Sequence, residues 1–175
     1  TKFYYDCTRL ILSDLNTDHP IIIPAKCGFG KSTYIQTLIE TLISHKDKTG
    51  HKYIQMIVVA NKVDDLDKLK KSIEKKYGKY NNVPYITLLQ SWNKNIKCLD
   101  EEVPVLNYAD SKNRCNQSCQ YKECPLVKQY TEIDYSPILA VTTERFSSMS
   151  KGRNIDKYKI FHNGSKKREY IIIDE

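Results

Sequence analysis

The chain has 175 residues, 40% of them hydrophobic and 28% charged, which is enough apolar material for the core of one globular domain and too much for a disordered chain. Lys and Arg outnumber Asp and Glu by 28 to 21, giving +7. That excess suits a polyanionic partner, although a lysine-rich surface is often only a solvated one. Apolar runs such as MIVVA at 56–60 are too short to span a bilayer, and the opening TKFYYDCTRL has no apolar leader region. No membrane contact is expected, and the expected compartment is intracellular: cytoplasmic, or nucleoid-associated if the source is bacterial.

Residues 3–15 read as a helix, with Leu10, Ile11 and Leu15 on one side. HPIIIP (19–24) is a short all-apolar run, the pattern of a strand buried on both faces. It leads into AKCGFGKST and then a helix, where Ile35, Leu38, Ile39, Leu42 and Ile43 fall on one stripe. A polar loop through Gly50 follows. YIQMIVVA (53–60) predicts a second strand and residues 64–78 a helix, with Leu66, Leu69, Ile73 and Tyr77 inward. Asp64, Asp65 and Asp67 at its start, Lys75 and Lys76 at its end, and Gly78 at the C-cap position suit the helix dipole. VPYITLLQ (83–90) and SPILAVTT (136–143) are two more strands, and Asn163–Gly164 is a hairpin-turn signal before the closing strand YIIIDE. Strands alternating with helices imply an α/β fold with a mostly parallel sheet. The predicted layout is 1–90, a Cys-rich insert at 91–135 without sustained periodicity, and 136–175.

AKCGFGKS (25–32) lies between the first strand and its helix, the context a phosphate-binding loop requires. Backbone N–H groups of Ala25, Lys26, Cys27, Gly28, Phe29, Gly30, Lys31, Ser32 and Thr33, with the helix N-terminus, would surround the phosphates of ATP. Gly28 and Gly30 permit close backbone approach, Lys31 reaches the β and γ phosphates, and Ser32 holds magnesium. Ala25 departs from the general pattern, which has Gly there. The other reading is a chance match in a loop. At the far end, Asp174 and Glu175 close an apolar strand. Asp174 would hold magnesium and Glu175 would polarise the attacking water; taken alone, an acidic strand end is an equally ordinary feature.

Six cysteines occur, and Cys98, Cys115, Cys119 and Cys124 fall within 27 residues. An intracellular chain of this size needs no disulfide staples, so the cluster points first to a metal.

Together, AxxGxGK[ST] and the terminal DE resemble motifs I and II of the superfamily 2 helicases. IVVANKVDDLDKL (57–69) is similar to their motif Ia region and ILAVTTERF (138–146) to the strand and turn ahead of motif II. The resemblance implies a RecA-like P-loop NTPase domain whose Asn61, Lys62, Thr142, Thr143 and Arg145 face single-stranded nucleic acid, beside Ala60. Thr and Lys at strand ends are also common for no functional reason. The placement and spacing of the four cysteines are similar to the iron–sulfur (XPD- and DinG-like) helicases, in which four such thiolates hold a [4Fe–4S] cluster. Structural zinc is the alternative metal, although the paired C-x2-C knuckles usual in zinc ribbons are absent; unligated buried thiols are the plain one.

What this implies is the ATP-binding N-terminal half of an ATP-dependent DNA helicase. Its partners would be single-stranded DNA, RNA as a second polyanion, and a second motor domain bearing the arginine finger. The family's pattern carries over up to Glu175, so the 175 residues are expected to be a fragment or a truncated product. Lys112, Arg114, Lys122 and Lys128 in the insert could line a strand-separating pore, with Trp92 and Tyr121 stacking on bases or simply packing. The competing expectation is a non-motor P-loop module that binds nucleic acid or protein and carries a structural zinc insert.

Overall fold

The computed structural model describes residues 2–13, 22, 30–44, 55–80, 82–90, 120–121, 123–151, 160–161, 166–168 and 170–174. The chain divides into two compact units, residues 1–53 and 54–175.

The first unit contains α1 (Lys2–Ser13) and α2 (Lys31–Ser44). The predicted stripe of α2 is the buried one: Leu38, Ile39, Leu42 and Ile43 are buried with Tyr34, and Ile35 is half-buried. Thr8 of α1 donates its hydroxyl to the Tyr34 oxygen at 3.3 Å. The expected buried strand at 19–24 is described only at Ile22, which is in no strand and is 82% exposed. The other residues of 19–24 lie outside the described residues.

Four described strands of the second unit, β1 (Met56–Ala60), β4 (Ile86–Leu88), β5 (Ile138–Thr142) and β8 (Tyr170–Asp174), form an all-parallel sheet in the order β4–β5–β1–β8, so the chain is a mixed α/β protein. β1 is buried along its whole length, as its unbroken apolar run predicts. Its Ile57 and Val59 pack with Leu139 and Val141 of β5, Leu89, Ile133 and Met149 in one core cluster. Period-two alternation turns Met56, Val58, Ile138 and Ala140 to the other face, and these are buried too.

Three helices flank the sheet. α3 (Val63–Tyr77) packs on β1, β4 and β5, α4 (Pro125–Ile133) on β4, and α5 (Thr143–Lys151) on β1 and β5. Ile133 and Met149 place α4 and α5 on the first face; Leu66 and Ile73, the buried residues of α3, lie outside that cluster. α3 ends as its sequence predicts: Gly78 takes φ +68° and its N–H returns to the Glu74 carbonyl at 2.9 Å. Much of the positive charge on α3 is answered locally, since Lys68, Lys70 and Lys71 sit 3.7, 3.8 and 2.6 Å from Asp65, Glu74 and Asp67. The Asp67 hydrogen bond and charge also raise the pKa of Lys71. This is the solvated face that surface lysines commonly form.

Three elements depart from the expected layout. The strand expected at 83–90 is two pieces: β3 (Val83–Pro84) pairs antiparallel with β2 (Lys79–Tyr80), and only β4 joins the main sheet. Pro84 has no N–H for a continuing ladder, and Asn82, at φ +69°, makes the turn. Within 91–135, Pro125–Ile133 is a regular helix rather than patternless insert, with Pro at its first turn. Residues 143–151, given no helix from sequence, form α5. Around Asn163–Gly164 a hairpin does form: β6 (Ile160–Phe161) and β7 (Lys166–Lys167) pair antiparallel on either side of 162–165. No helix among the described residues is long and apolar enough to cross a membrane.

Candidate functional site

Four parallel strands end on one edge, and their last residues and the turns that follow carry Asn61, Lys62, Thr142, Thr143, Arg145 and Asp174. Register puts Thr142, Ala60 and Asp174 in one row across β5, β1 and β8. At about 4.8 Å per strand, the Thr142 and Asp174 backbones stand about 10 Å apart. The carboxyl edge of a parallel sheet is where α/β folds bind ligands, because the strands end there in loops and helix N-termini.

Two loops of this edge are tied to each other. The Thr143 hydroxyl donates to Asn61 Oδ1 at 2.8 Å, joining the turn after β5 to the turn after β1. Asn61 and Lys62 are exposed, whereas Thr142, Thr143 and Arg145 are half-buried. Lys62 is the extended residue before α3 and makes no side-chain cap. Thr142 has a structural duty: its Oγ1 accepts from the Arg145 N–H at 3.3 Å, the bond of an N-cap to the third residue of its helix. Thr142→Val should therefore cost about 1 kcal/mol in urea denaturation, and Thr142→Ser should restore most of it. If the hydroxyl were only a nucleic-acid contact, stability would not change.

In the first unit, Gly30 is exposed, with φ +76°, and its carbonyl accepts from the Tyr34 N–H at 2.9 Å to begin α2. Among the described residues no side chain meets the position its Cβ would take, and the positive φ favours glycine there. Lys31 is half-buried, Ser32 and Thr33 are exposed, and the first turn holds no acidic residue. A lysine at the positive end of a helix opposes the macrodipole; the pair suits an anion better than it suits the isolated helix. Ala25, Lys26, Cys27, Gly28 and Phe29 lie outside the described residues, as does Glu175. Asp174 is half-buried at the end of β8.

Of the four clustered cysteines only Cys124 is described. It is 2% exposed, in no disulfide, and stands at the start of α4 among Leu126 and Val127. Tyr121 packs against the same cluster, which gives that ring a packing role. Cys98, Cys115 and Cys119 lie outside the described residues, as do Trp92, Lys112, Arg114 and Lys122; Lys128 is exposed on α4. Among the described residues no three His, Cys, Asp or Glu side chains gather as a metal site.

The direction of α4 follows from its bonds. Near its middle, the Gln129 carboxamide clasps the backbone of Gln90, just past the end of β4: Gln90 N–H donates to Oε1 at 2.9 Å and Nε2 donates to the Gln90 carbonyl at 3.0 Å. At its far end, Ser136 donates to the Pro84 carbonyl, ahead of β4, at 2.8 Å. α4 thus runs antiparallel to the strands, and Cys124, five residues before Gln129, stands about 7.5 Å further out, beyond the carboxyl edge. The cysteine-bearing segment departs and returns at the same edge as Asn61, Lys62, Thr142 and Asp174.

Arg168 is the feature the sequence did not suggest. It is 2% exposed on the approach to β8, and its Nη2 donates to the carbonyls of Ile133 and Ser136 at 2.6 and 2.5 Å, closing the C-terminal end of α4. Burial lowers its pKa to about 10, with Asp134 opposing the shift. Lys and Arg in the last turn of a helix are a recognisable pattern; an arginine arriving 35 residues later is not.

The fold and this edge define an α/β protein whose polar residues converge at the carboxyl ends of a parallel sheet. Compared with known proteins, the chain matches no family model, no curated protein and no solved structure.

Proposed function

We propose that residues 1–175 form the ATP-binding N-terminal motor half of a superfamily 2 DNA helicase of the iron–sulfur group, with a RecA-like domain at its centre. The observation that carries this reading is the shared carboxyl edge: Asp174, Asn61, Thr142, Thr143 and the root of the cysteine segment lie at the carboxyl ends of four parallel strands. A helix beginning at Lys31 behind a positive-φ glycine adds to it.

In this reading the backbone of 25–33 and the Lys31 ammonium hold the ATP phosphates, Ser32 and Asp174 serve magnesium, and Glu175 orients and polarises the attacking water. Asn61 Oδ1 is engaged by Thr143, so the amide nitrogen is its outward capacity. With the Lys62 ammonium and the Arg145 guanidinium, the edge offers cationic donors, which suit phosphate oxygens. The strand would be held without regard to sequence, with single-stranded DNA as substrate and RNA offering the same phosphates. Cys98, Cys115, Cys119 and Cys124 would hold a [4Fe–4S] cluster, with zinc the other metal a four-thiol set suits. Bound there, the metal would brace the segment through bonds to deprotonated thiols.

Strand movement needs two motor domains that grip in turn, and the arginine finger, where used, contributes about 10³–10⁵ in rate. Residues 1–175 alone should therefore hydrolyse ATP slowly, and adding single-stranded DNA should leave the rate unchanged in a phosphate-release assay. Robust stimulated turnover would sink the half-motor reading.

A further inference from the structure

Gln129 is polar, only 6% exposed and on a helix, yet its carboxamide is spent on the backbone of Gln90. It bonds both the N–H and the carbonyl of one residue, as a neighbouring strand would. Among the described strands β4 is the outermost of its sheet, and its pairing with β5 ends at Leu89, whose N–H donates to the Ala140 carbonyl at 2.9 Å. Gln90 is the next residue, and the segment that ends at Cys124 begins there. Breaking this clasp would strand a buried carboxamide and two backbone groups, so it is costly to open.

The rest of α4 has no slack. Arg168 holds the carbonyls of Ile133 and Ser136. The Ser136 hydroxyl donates to the Pro84 carbonyl and lies 2.6 Å from that of Thr87 in β4. The helix is thus bound to the sheet near its middle and at its C-terminal end, leaving Cys124 at its outer end. At that end the Cys124 carbonyl accepts from the Val127 and Lys128 N–H groups at 3.0 and 2.9 Å.

We propose that Gln129 is a positioning residue: by clasping Gln90 it fixes where the cysteine-bearing segment leaves the sheet relative to where it returns at Cys124. Its effect on metal rests on the thiol-site reading given above; its effect on the backbone does not. Under that reading Cys98 follows the fixed departure point and Cys124 sits on the fixed return. Metal held between them and clasp closure would then favour each other to the same degree.

The test compares wild-type protein with Gln129→Met, which keeps the side chain's bulk and removes both bonds. In metal-free protein, hydrogen exchange should speed up at least about tenfold at Gln90 and together with it at Val127 and Lys128, while Ile57–Val59 stay protected. Zinc alone should bind the variant at least about tenfold more weakly, the loss usual when a residue behind a metal ligand is removed. Gln129→Glu guards against a variant that fails to fold. Its protonated carboxyl can make both bonds and its ionised form only one, so exchange at Gln90, corrected for intrinsic rate, should fall toward the wild-type value as pH is lowered through the carboxyl's titration. Faster exchange at Gln90 alone, or equal zinc affinity in wild type and Gln129→Met, would overturn the proposal. If the wild-type protein takes up no metal, the thiol-site reading fails, and the exchange comparison alone decides the clasp.

Discussion

Replacing Arg168 by methionine is expected to lower the unfolding free energy by about 2–4 kcal/mol, the largest stability loss for any single polar side chain described. The guanidinium is buried and donates to two carbonyls at the end of α4. Methionine fills similar space, so the loss reflects two carbonyls stripped of a charged donor rather than a cavity. The pH behaviour follows from the sign of the shift. With the folded pKa lowered to about 10, below the ordinary arginine value, both folded and unfolded chains carry the charge at neutral pH. The group thus contributes no pH dependence there. Above about 10, up to the ordinary arginine value, the unfolded state binds more protons, so this group's contribution to stability rises with pH. The deficit of Arg168→Met in urea denaturation should be the same at pH 6 and pH 9. A deficit below about 0.5 kcal/mol would mean that the Ile133 and Ser136 carbonyls find other donors at no cost.

Cys124→Ser is expected to remove the metal. In anaerobically purified wild-type protein the thiol set should carry either roughly four iron and four sulfide per chain, with broad absorbance near about 400 nm, or one zinc without colour. Replacing one of four thiolates should take that content close to zero. The sheet should survive, because Cys124 packs in its own small cluster with Leu126 and Val127, apart from the main core. Wild-type metal content in Cys124→Ser would exclude Cys124 as a ligand and leave it as a packing residue.

What the sequence made legible was local. α3 could be read with both ends because its acids, lysines, apolar spacing and Gly78 all point to one helix. β1 and β5 were legible as apolar runs long enough to be buried, and β8 as an apolar run, although its Ile171 and Ile173 stand exposed; the strand–helix alternation earlier in the chain pointed to the parallel sheet. The helical signal of α4, Pro125 and the spacing of Leu126, Tyr130 and Ile133, is masked by the polar residues and cysteines around it. The β2–β3 hairpin is hidden in the sequence because Pro84 sits inside what reads as one strand.

For the site, sequence named Asn61, Lys62, Thr142, Thr143, Arg145 and Asp174, and the fold brings their backbones to one edge. It did not show that Thr142 is occupied as a cap, or that Thr143 is bonded to Asn61. Nor could it give Arg168 to α4 or Gln129 to Gln90, since these bonds join residues 35 and 39 apart in the chain. Partners so distant leave no periodicity to read; only the folded topology brings them together.

The most direct test of the motor reading is equilibrium binding of magnesium·ATP to residues 1–175, by calorimetry, for wild type and Lys31→Ala. Saturable, magnesium-dependent binding at about one nucleotide per chain, weakened at least about tenfold by Lys31→Ala, is the expected result. Absence of binding, or binding that ignores both magnesium and Lys31, would contradict it.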